Sequence, residues 1–276
     1  MKETIKPGHY EDLSNDDYHS DPAISRSHLM KIRKTPKHYW YEYINPNYIK
    51  PASQEALIFG SALHTFVLEP IKFDQEYFLL PNLNLSTKAG KALKEKLIAE
   101  NPGKTPLSDE QSQKLIAMRL AIRAFPDAEK LIGGCIEHSF FWEDKETGLM
   151  CKTRPDIWFS HMVVDLKSTK DLSKHSFSMS AYHYGYHIQA AMIQIAFKEV
   201  FGYEMNDFLF LGCEKEEPYS VAIDLMTPEF IKLGYQEFRY HLNLLAECKA
   251  TNKWPSYGVR ELKAPNFTKF GVIDNE

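Results

Sequence analysis

The chain predicts an α/β sandwich on a mixed sheet, preceded by a mainly helical N-terminal part. Three observations carry this. Residues 24–124 show helix caps and helical periodicity. Residues 135–168 alternate apolar and polar positions around turn signals. Residues 207–213 and 219–225 form two more strand-like runs, placed between two long helical stretches. Helices, three strands, helix, two strands and helix pack as layers around one sheet.

The elements follow in order. Residues 1–23, rich in Asp, Ser and Pro, read as an extended lead-in. Ser25 or Ser27 can cap a short helix to about Arg33, and Thr35-Pro36 starts another with proline in its first turn. Ser53, Ala56, Leu57, Leu63, Phe66 and Val67 suggest a longer helix ending near Glu69-Pro70. Gly60 lies inside it, which is costly unless a close approach requires it. Thr87 to Glu100 reads as a charged amphipathic helix and Asn101 to Leu107 as a loop. Ser108 with Gln111 makes a capping box for a helix to about Ala124. This middle section is read as entirely helical. Cys135 to Trp142, Leu149 to Phe159 and Met162 to Ser168 read as an antiparallel meander turning first at Glu143 to Gly148. A helix from about Phe177 to Val200, strands Asp207 to Cys213 and Tyr219 to Leu225, and a helix from Thr227-Pro228 to about Ala250 complete the order.

With 276 residues, 43% hydrophobic and 25% charged, the chain suits one domain with an ordinary core. Residues 1–134 form its mainly helical part, 135–250 the α/β core and 251–276 a tail. No apolar run approaches the roughly 20 residues that span a bilayer. Residues 1–9 lack the apolar stretch of a secretory signal. A cytoplasmic location without a membrane partner is expected. The four cysteines, Cys135, Cys151, Cys213 and Cys248, have no metal-knuckle or redox spacing and read as buried free thiols. An iron-sulfur cluster is therefore unsupported.

The net charge of −4 does not advertise a nucleic-acid binder, although a local basic funnel can sit on an acidic body. Residues 24–50 hold Arg26, Lys31, Arg33, Lys34, Lys37 and Lys50 against Glu42 alone, interleaved with aromatic residues. That mixture suits phosphate contacts with stacking. It equally suits a solvated helix face backed by an aromatic core.

The chemistry concentrates at Asp156, Asp165 and Lys167. Alternate side chains of a strand share a face, so Asp165 and Lys167 point one way and Val164 and Leu166 the other. An Asp-x-Lys strand is often an exposed, salt-bridged edge. Here the flanking residues are apolar enough for a central strand, where charges need partners. Two carboxylates on neighbouring strands can grip a divalent ion, with a lysine beside them to position a water. This is a minimal set for phosphodiester hydrolysis. His64, Glu137 and Gln189 can join it. Each also has an ordinary reading, as a core histidine, a surface salt-bridge partner and a helix surface residue. His138, His183 and His187 show no partner spacing and read as structural, as do Trp142, Trp158 and Trp254.

The ordered set Asp21-Pro22-Ala23-Ile24-Ser25-Arg26-Ser27, Thr35-Pro36-Lys37-His38-Tyr39, Phe59-Gly60-Ser61-Ala62-Leu63-His64, Leu68-Glu69-Pro70, Arg154-Pro155-Asp156, Asp165-Leu166-Lys167, Tyr186-His187-Ile188-Gln189 and Trp254-Pro255-Ser256-Tyr257 resembles the RecE-type exonucleases. These are the exonuclease VIII group of lambdoid prophages and phage relatives, within the PD-(D/E)XK nuclease superfamily. The resemblance covers nearly the whole chain and implies a restriction-endonuclease-like core in a stand-alone nuclease domain.

It implies Asp156, Asp165 and the Leu166 carbonyl as ligands of Mg²⁺ or Mn²⁺, with His64 at a second ion about 4 Å away. Glu137 would orient the attacking water. Lys167 would position or deprotonate that water, and Gln189 would fix the hairpin or scissile strand. Arg26 is the first candidate for a DNA phosphate and Arg154 the second, with Tyr186 on the same helical face as Gln189. The glutamine motif of the family usually continues to a tyrosine four residues on, where this chain has Ile193.

The implied activity is metal-dependent 5′→3′ resection of linear double-stranded DNA. It would leave 3′ single strands for a recombination annealing protein, performed by a homo-trimer or homo-tetramer ring. The alternatives are a single-strand or structure-specific nuclease on this fold, and a non-catalytic DNA-binding module.

Overall fold

The computed structural model describes residues 4–51 and 55–262. Ser53, read above as part of a helix start, lies outside the described residues. The N-terminal part runs β1 (Gly8–Tyr10), α1 (Asn15–Ser20), α2 (Arg26–Lys34), α3 (Pro36–Tyr43), α4 (Glu55–Leu68), α5 (Pro70–Glu76), β2 (Tyr77–Leu79), α6 (Lys88–Glu100), β3 (Thr105–Leu107), α7 (Asp109–Ala124) and α8 (Ala128–Ile132). The core follows with β4 (Cys135–Ile136), β5 (Ser139–Glu143), β6 (Met150–Thr153), β7 (Ile157–Trp158), β8 (Met162–Thr169), α9 (Lys174–His183), α10 (Tyr186–Phe201), β9 (Asp207–Glu214), β10 (Val221–Leu225) and α11 (Pro228–Thr251).

The main sheet has the order β10-β9-β8-β7-β4, and a smaller one the order β1-β5-β6. β8 and β9 are parallel, joined across α9 and α10, while the other main-sheet pairs are antiparallel. The mixed sheet flanked by helices is therefore present. Helices cover both faces. Val163, Phe208 and Phe210 pack with residues of α2, α10 and α11. Val164, Leu166, Leu211 and Cys213 pack with residues of α4 and α7. The alternation expected along β8 is thus realised, with successive residues entering different cores. Trp142 is buried, and Trp158 and Trp254 pack against the first core, as expected of structural tryptophans.

Several expectations are corrected. The lead-in is not merely extended, because it contributes β1 to the smaller sheet and forms α1, whose Ser14 side chain caps the Asp17 N–H. The middle section is not entirely helical, because β2 and β3 form a parallel pair. Pro106, which cannot donate to a ladder, is tolerated in so short a ribbon. The long strands 135–142 and 149–159 each divide between the two sheets. The first breaks at Glu137, in the left-handed region with φ 57°. The second breaks at Arg154–Asp156, where Pro155 removes a ladder donor. Alternation continues through both breaks, so periodicity alone reads each as one strand.

The helix 177–200 is likewise two helices. Gly185 adopts φ +70°, and a Cβ there would lie 2.4 Å from Met30 Sδ, so α2 rides over the junction. Cys151, Cys213 and Cys248 are buried free thiols, but Cys135 is exposed. Gly60 meets no close neighbour, since a Cβ on it would find nothing within 4 Å. Among the described residues, no helix is long and apolar enough to cross a membrane.

Candidate active site

Strand register assembles the site. β4 pairs Cys135 with Trp158 and Ile136 with Ile157. One step further, the same register sets Glu137 against Asp156, and the Glu137 N–H donates to the Asp156 carbonyl at 3.0 Å. β7 pairs Trp158 with Val163 and Ile157 with Val164. One step further sets Asp156 against Asp165. Residues directly opposite on neighbouring strands present their side chains together. Glu137, Asp156 and Asp165 therefore form a row of carboxylates crossing the sheet where its strands change partners.

The two aspartates of the row are held by partners. Asp156 Oδ2 accepts from the Leu166 N–H at 2.7 Å. Asp165 is fully buried; Oδ1 accepts from Gln189 Nε2 at 2.8 Å, and Oδ2 forms an ion pair with Lys167. His64, on α4, donates from Nε2 to the Leu166 carbonyl at 2.6 Å. Its Nδ1 then lies 3.4 Å from Asp156 Oδ2. The Lys167 Nζ stands 4.9 Å from the centre of the Tyr186 ring. The Arg26 guanidinium lies 5.7 Å from the same ring and donates to the Tyr184 carbonyl. Asp156, Asp165, Leu166, Lys167, His64, Glu137 and Gln189 thus converge, with Arg26 and Tyr186 on one flank.

Arg154 is placed differently from a phosphate contact. Its fork donates to Ser139 Oγ, Asn15 Oδ1 and the Leu13 carbonyl, over the Tyr18 ring. These contacts fasten the N-terminal segment to the smaller sheet, and one nitrogen lies 4.0 Å from Glu137. Ile193 is fully buried in the first core. The tyrosine ring that faces Lys167 is that of Tyr186, at the start of α10. His187, read as structural, is buried beside Glu237. His138 does have a partner, His9.

The sequence reading missed Glu69 and Lys72. With Glu76 and the segment 11–16 they wall a cavity of about 470 Å³ that opens beside Glu137. The only sequence signal was Glu69's place in Leu68-Glu69-Pro70. The site thus has an acidic wall on the Glu137 side and a basic, aromatic flank on the Lys167 side. The basic stretch 24–50 is itself mixed. Arg33 pairs with Glu237 and Lys31 with Glu42, while Tyr39 is core, stacked on Trp254.

The electrostatics show a row with more negative charge than its partners balance. Burial and then the Asp156 carboxylate push the Glu137 carboxyl up to about 8. Burial and then the Asp165 charge push Asp156 above the usual range. Burial pulls the Lys167 ammonium down, but Asp165 and Asp156 outweigh it and raise its pKa. The Lys167 ammonium, the His64 imidazole and, 4.0 Å from Glu137, the Arg154 guanidinium face three carboxyl groups. His64, Glu137 and Asp156 bring ligand atoms within 4.8 Å of one another. Carboxylate oxygens, a carbonyl and an imidazole fit a divalent cation.

The fold and the row of acids beside a lysine place the chain in the PD-(D/E)XK-like class. Residues 25–262 match the family described as a PDDEXK-like domain of unknown function (DUF3799), and the chain belongs to that family. A solved structure from Eubacterium rectale, of a protein provisionally named an exonuclease, shares the fold with TM-score 0.65 at 17% identity. The match covers 92% of this chain and 96% of that one. No curated protein matches the chain.

Proposed function

We propose that this chain is a divalent-metal-dependent 5′→3′ exodeoxyribonuclease that degrades linear double-stranded DNA and leaves 3′ single strands for strand annealing. The observation that carries the reading is the row Glu137–Asp156–Asp165, with Lys167 beside it and His64 bridging to Leu166. Asp156, Asp165 and the Leu166 carbonyl would hold one Mg²⁺ or Mn²⁺, with His64 and Glu137 available to a second. A bound ion supplies Lewis-acid polarisation of the phosphate and lowers the pKa of the attacking water.

The chain's own groups do the rest. Gln189 fixes Asp165 through its amide, so the carboxylate row keeps its register. The Lys167 ammonium, steadied over the Tyr186 ring, positions the water and offsets charge gathering on the phosphorane. Glu137 aligns the water from the opposite side. The acidic wall at Glu69, Glu76 and the segment 11–16 repels phosphate, so the duplex lies on the Arg26 flank. Arg26 there takes a backbone phosphate, the 5′-terminal one in the exonuclease reading.

The resemblance to RecE-type enzymes supports the polarity, the annealing-protein partner and a homo-trimeric or homo-tetrameric ring. A ring is compatible with the acidic monomer, because positive potential is needed only at the channel. The test is linear duplex DNA labelled at its 5′ or its 3′ end, with Mg²⁺ and with EDTA, beside a closed circle. Early release of short 5′-labelled products with metal, and an intact circle, are expected. Release from the 3′ end or cleavage of the circle overturns the polarity or the exonuclease assignment. No cleavage with Mg²⁺ or Mn²⁺ overturns the enzyme assignment.

A further inference from the structure

β1 and β5 pair Gly8 with Phe141, His9 with Phe140 and Tyr10 with Ser139. One step beyond, that register sets Glu11 against His138. Glu11 lies one residue past β1, and continued alternation sets it on the same face as His9. His138 belongs to that face across the ladder, directly opposite Glu11 and diagonal to His9. The pattern His9-x-Glu11 against His138 therefore brings two imidazoles and a carboxylate together by strand geometry. His9 Nε2 and His138 Nδ1 face each other at 2.8 Å. The ligand atoms of all three residues lie within 4.8 Å of one another.

We propose that His9, Glu11 and His138 form a transition-metal site of the Zn²⁺ class, separate from the nuclease centre, that clamps the N-terminal strand onto the catalytic sheet. Two imidazole nitrogens with one carboxylate suit Zn²⁺ and its first-row neighbours and do not suit Mg²⁺. At ordinary Zn–N lengths, tetrahedral nitrogens stand about 3.3 Å apart, so the rings need to separate by about 0.5 Å.

The surroundings favour a fixed site. His9 is stacked on Phe140 with centroids 4.9 Å apart and sits edge-on to Trp158 and Phe201. These walls hold the ring plane. Glu11 and His138 line the cavity of about 470 Å³, which gives an ion and its remaining water ligands a path in. Burial and the neighbouring ring hold the His9 imidazole below its usual pKa, so protons compete weakly for its nitrogen. His138 directly follows Glu137, so a clamp there also fixes the left-handed turn that delivers Glu137 to the carboxylate row.

The test titrates Co²⁺ into metal-stripped protein carrying Asp156→Asn and Asp165→Asn, which weakens the nuclease centre as a competitor. The wild type saturated with Mg²⁺ is the second measurement should the double variant fail to fold. Visible Co²⁺ absorption saturating at one equivalent is expected, and Zn²⁺ should displace it. Glu11→Gln, an exposed change, should weaken binding about tenfold to a hundredfold, and His138→Gln should abolish it. Thermal unfolding should shift upward with Zn²⁺ only where the three donors are intact. Absence of saturable binding in folded protein overturns the proposal. So does binding that Glu11→Gln or His138→Gln leaves unchanged. Neither result touches the nuclease assignment, which rests on different residues.

Discussion

Asp144 and Asp156 are both buried carboxylates, and the molecule treats them in opposite ways. Asp144 receives both prongs of Arg239, at 3.0 and 2.8 Å, and two further donors from Thr147. Burial pushes its pKa up, but the Arg239 and Thr147 hydrogen bonds win, and the carboxyl ends below its usual range. Asp156 has one backbone donor, a histidine nitrogen and two carboxylate neighbours, and it ends above that range. Asp144 is completed by the chain. On the proposed function, Asp156 is completed by a cation from outside. Burial alone therefore does not single out a candidate functional carboxylate; a shortage of positive partners around it does.

Neutralising each acid in turn should separate the two roles most strongly. Asp156→Asn should lower kcat/KM for DNA cleavage by on the order of 10³-fold or more, while the metal-free protein keeps or gains thermal stability. Asp144→Asn should do the reverse, with cleavage per folded molecule near wild type and a stability loss of about 1–3 kcal/mol by urea unfolding. A destabilised, still active Asp156→Asn would reverse the two roles.

The pH dependence separates the regions next. The Asp144 carboxyl is depressed in the fold, so its contribution is present above the unfolded pKa and fades as pH falls through the folded value. The Glu137 carboxyl is raised to about 8, so between its unfolded pKa and about 8 the fold holds a proton that the unfolded chain has released. Stability of the metal-free protein should therefore decline as pH rises across that window. Glu137→Gln should flatten the decline, as read by melting temperature in EDTA from pH 5 to pH 8.5. An equal slope in the variant would remove Glu137 from the coupled row.

Smaller effects sharpen the geometry. Glu137 adopts φ 57° without being glycine. Glu137→Gly should relieve about 1 kcal/mol of backbone strain, whereas Glu137→Gln should not. Both should lose cleavage about tenfold to a hundredfold if the carboxylate aligns the water. The smallest change is Gly60→Ala, one helical turn before His64. With nothing within 4 Å of the added methyl, the helix should gain about 0.5–1 kcal/mol. A rise in KM for DNA in that variant would place the duplex over this face of α4.

The main architecture was legible because the signals were local. Caps at Thr35, Thr87, Ser108 and Thr227 marked the helix starts, and each accepts the expected backbone hydrogen bond. The alternation of Val163 to Leu166 separated the two cores correctly. The convergence of Asp156, Asp165 and Lys167 was legible for the same reason, since a short hairpin fixes their spacing. What sequence reading missed depends on partners distant in the chain. Strand exchange at Glu137 and Arg154–Asp156 accompanies the pairing of β5 with β1, which comes from the lead-in. Gly185 divides a helix because Met30, from α2, packs on it. The engagement of Arg154 with Leu13, Asn15 and Ser139 likewise has no local signal.

The most direct measurement is Mn²⁺ binding followed by electron paramagnetic resonance at pH 8, comparing the wild type with Asp156→Asn. The carboxylate row predicts saturable binding in the wild type and the loss of at least one bound ion per chain in the variant, with the variant still folded. Equal Mn²⁺ binding by the two proteins would contradict the claim that the row exists to hold a cation.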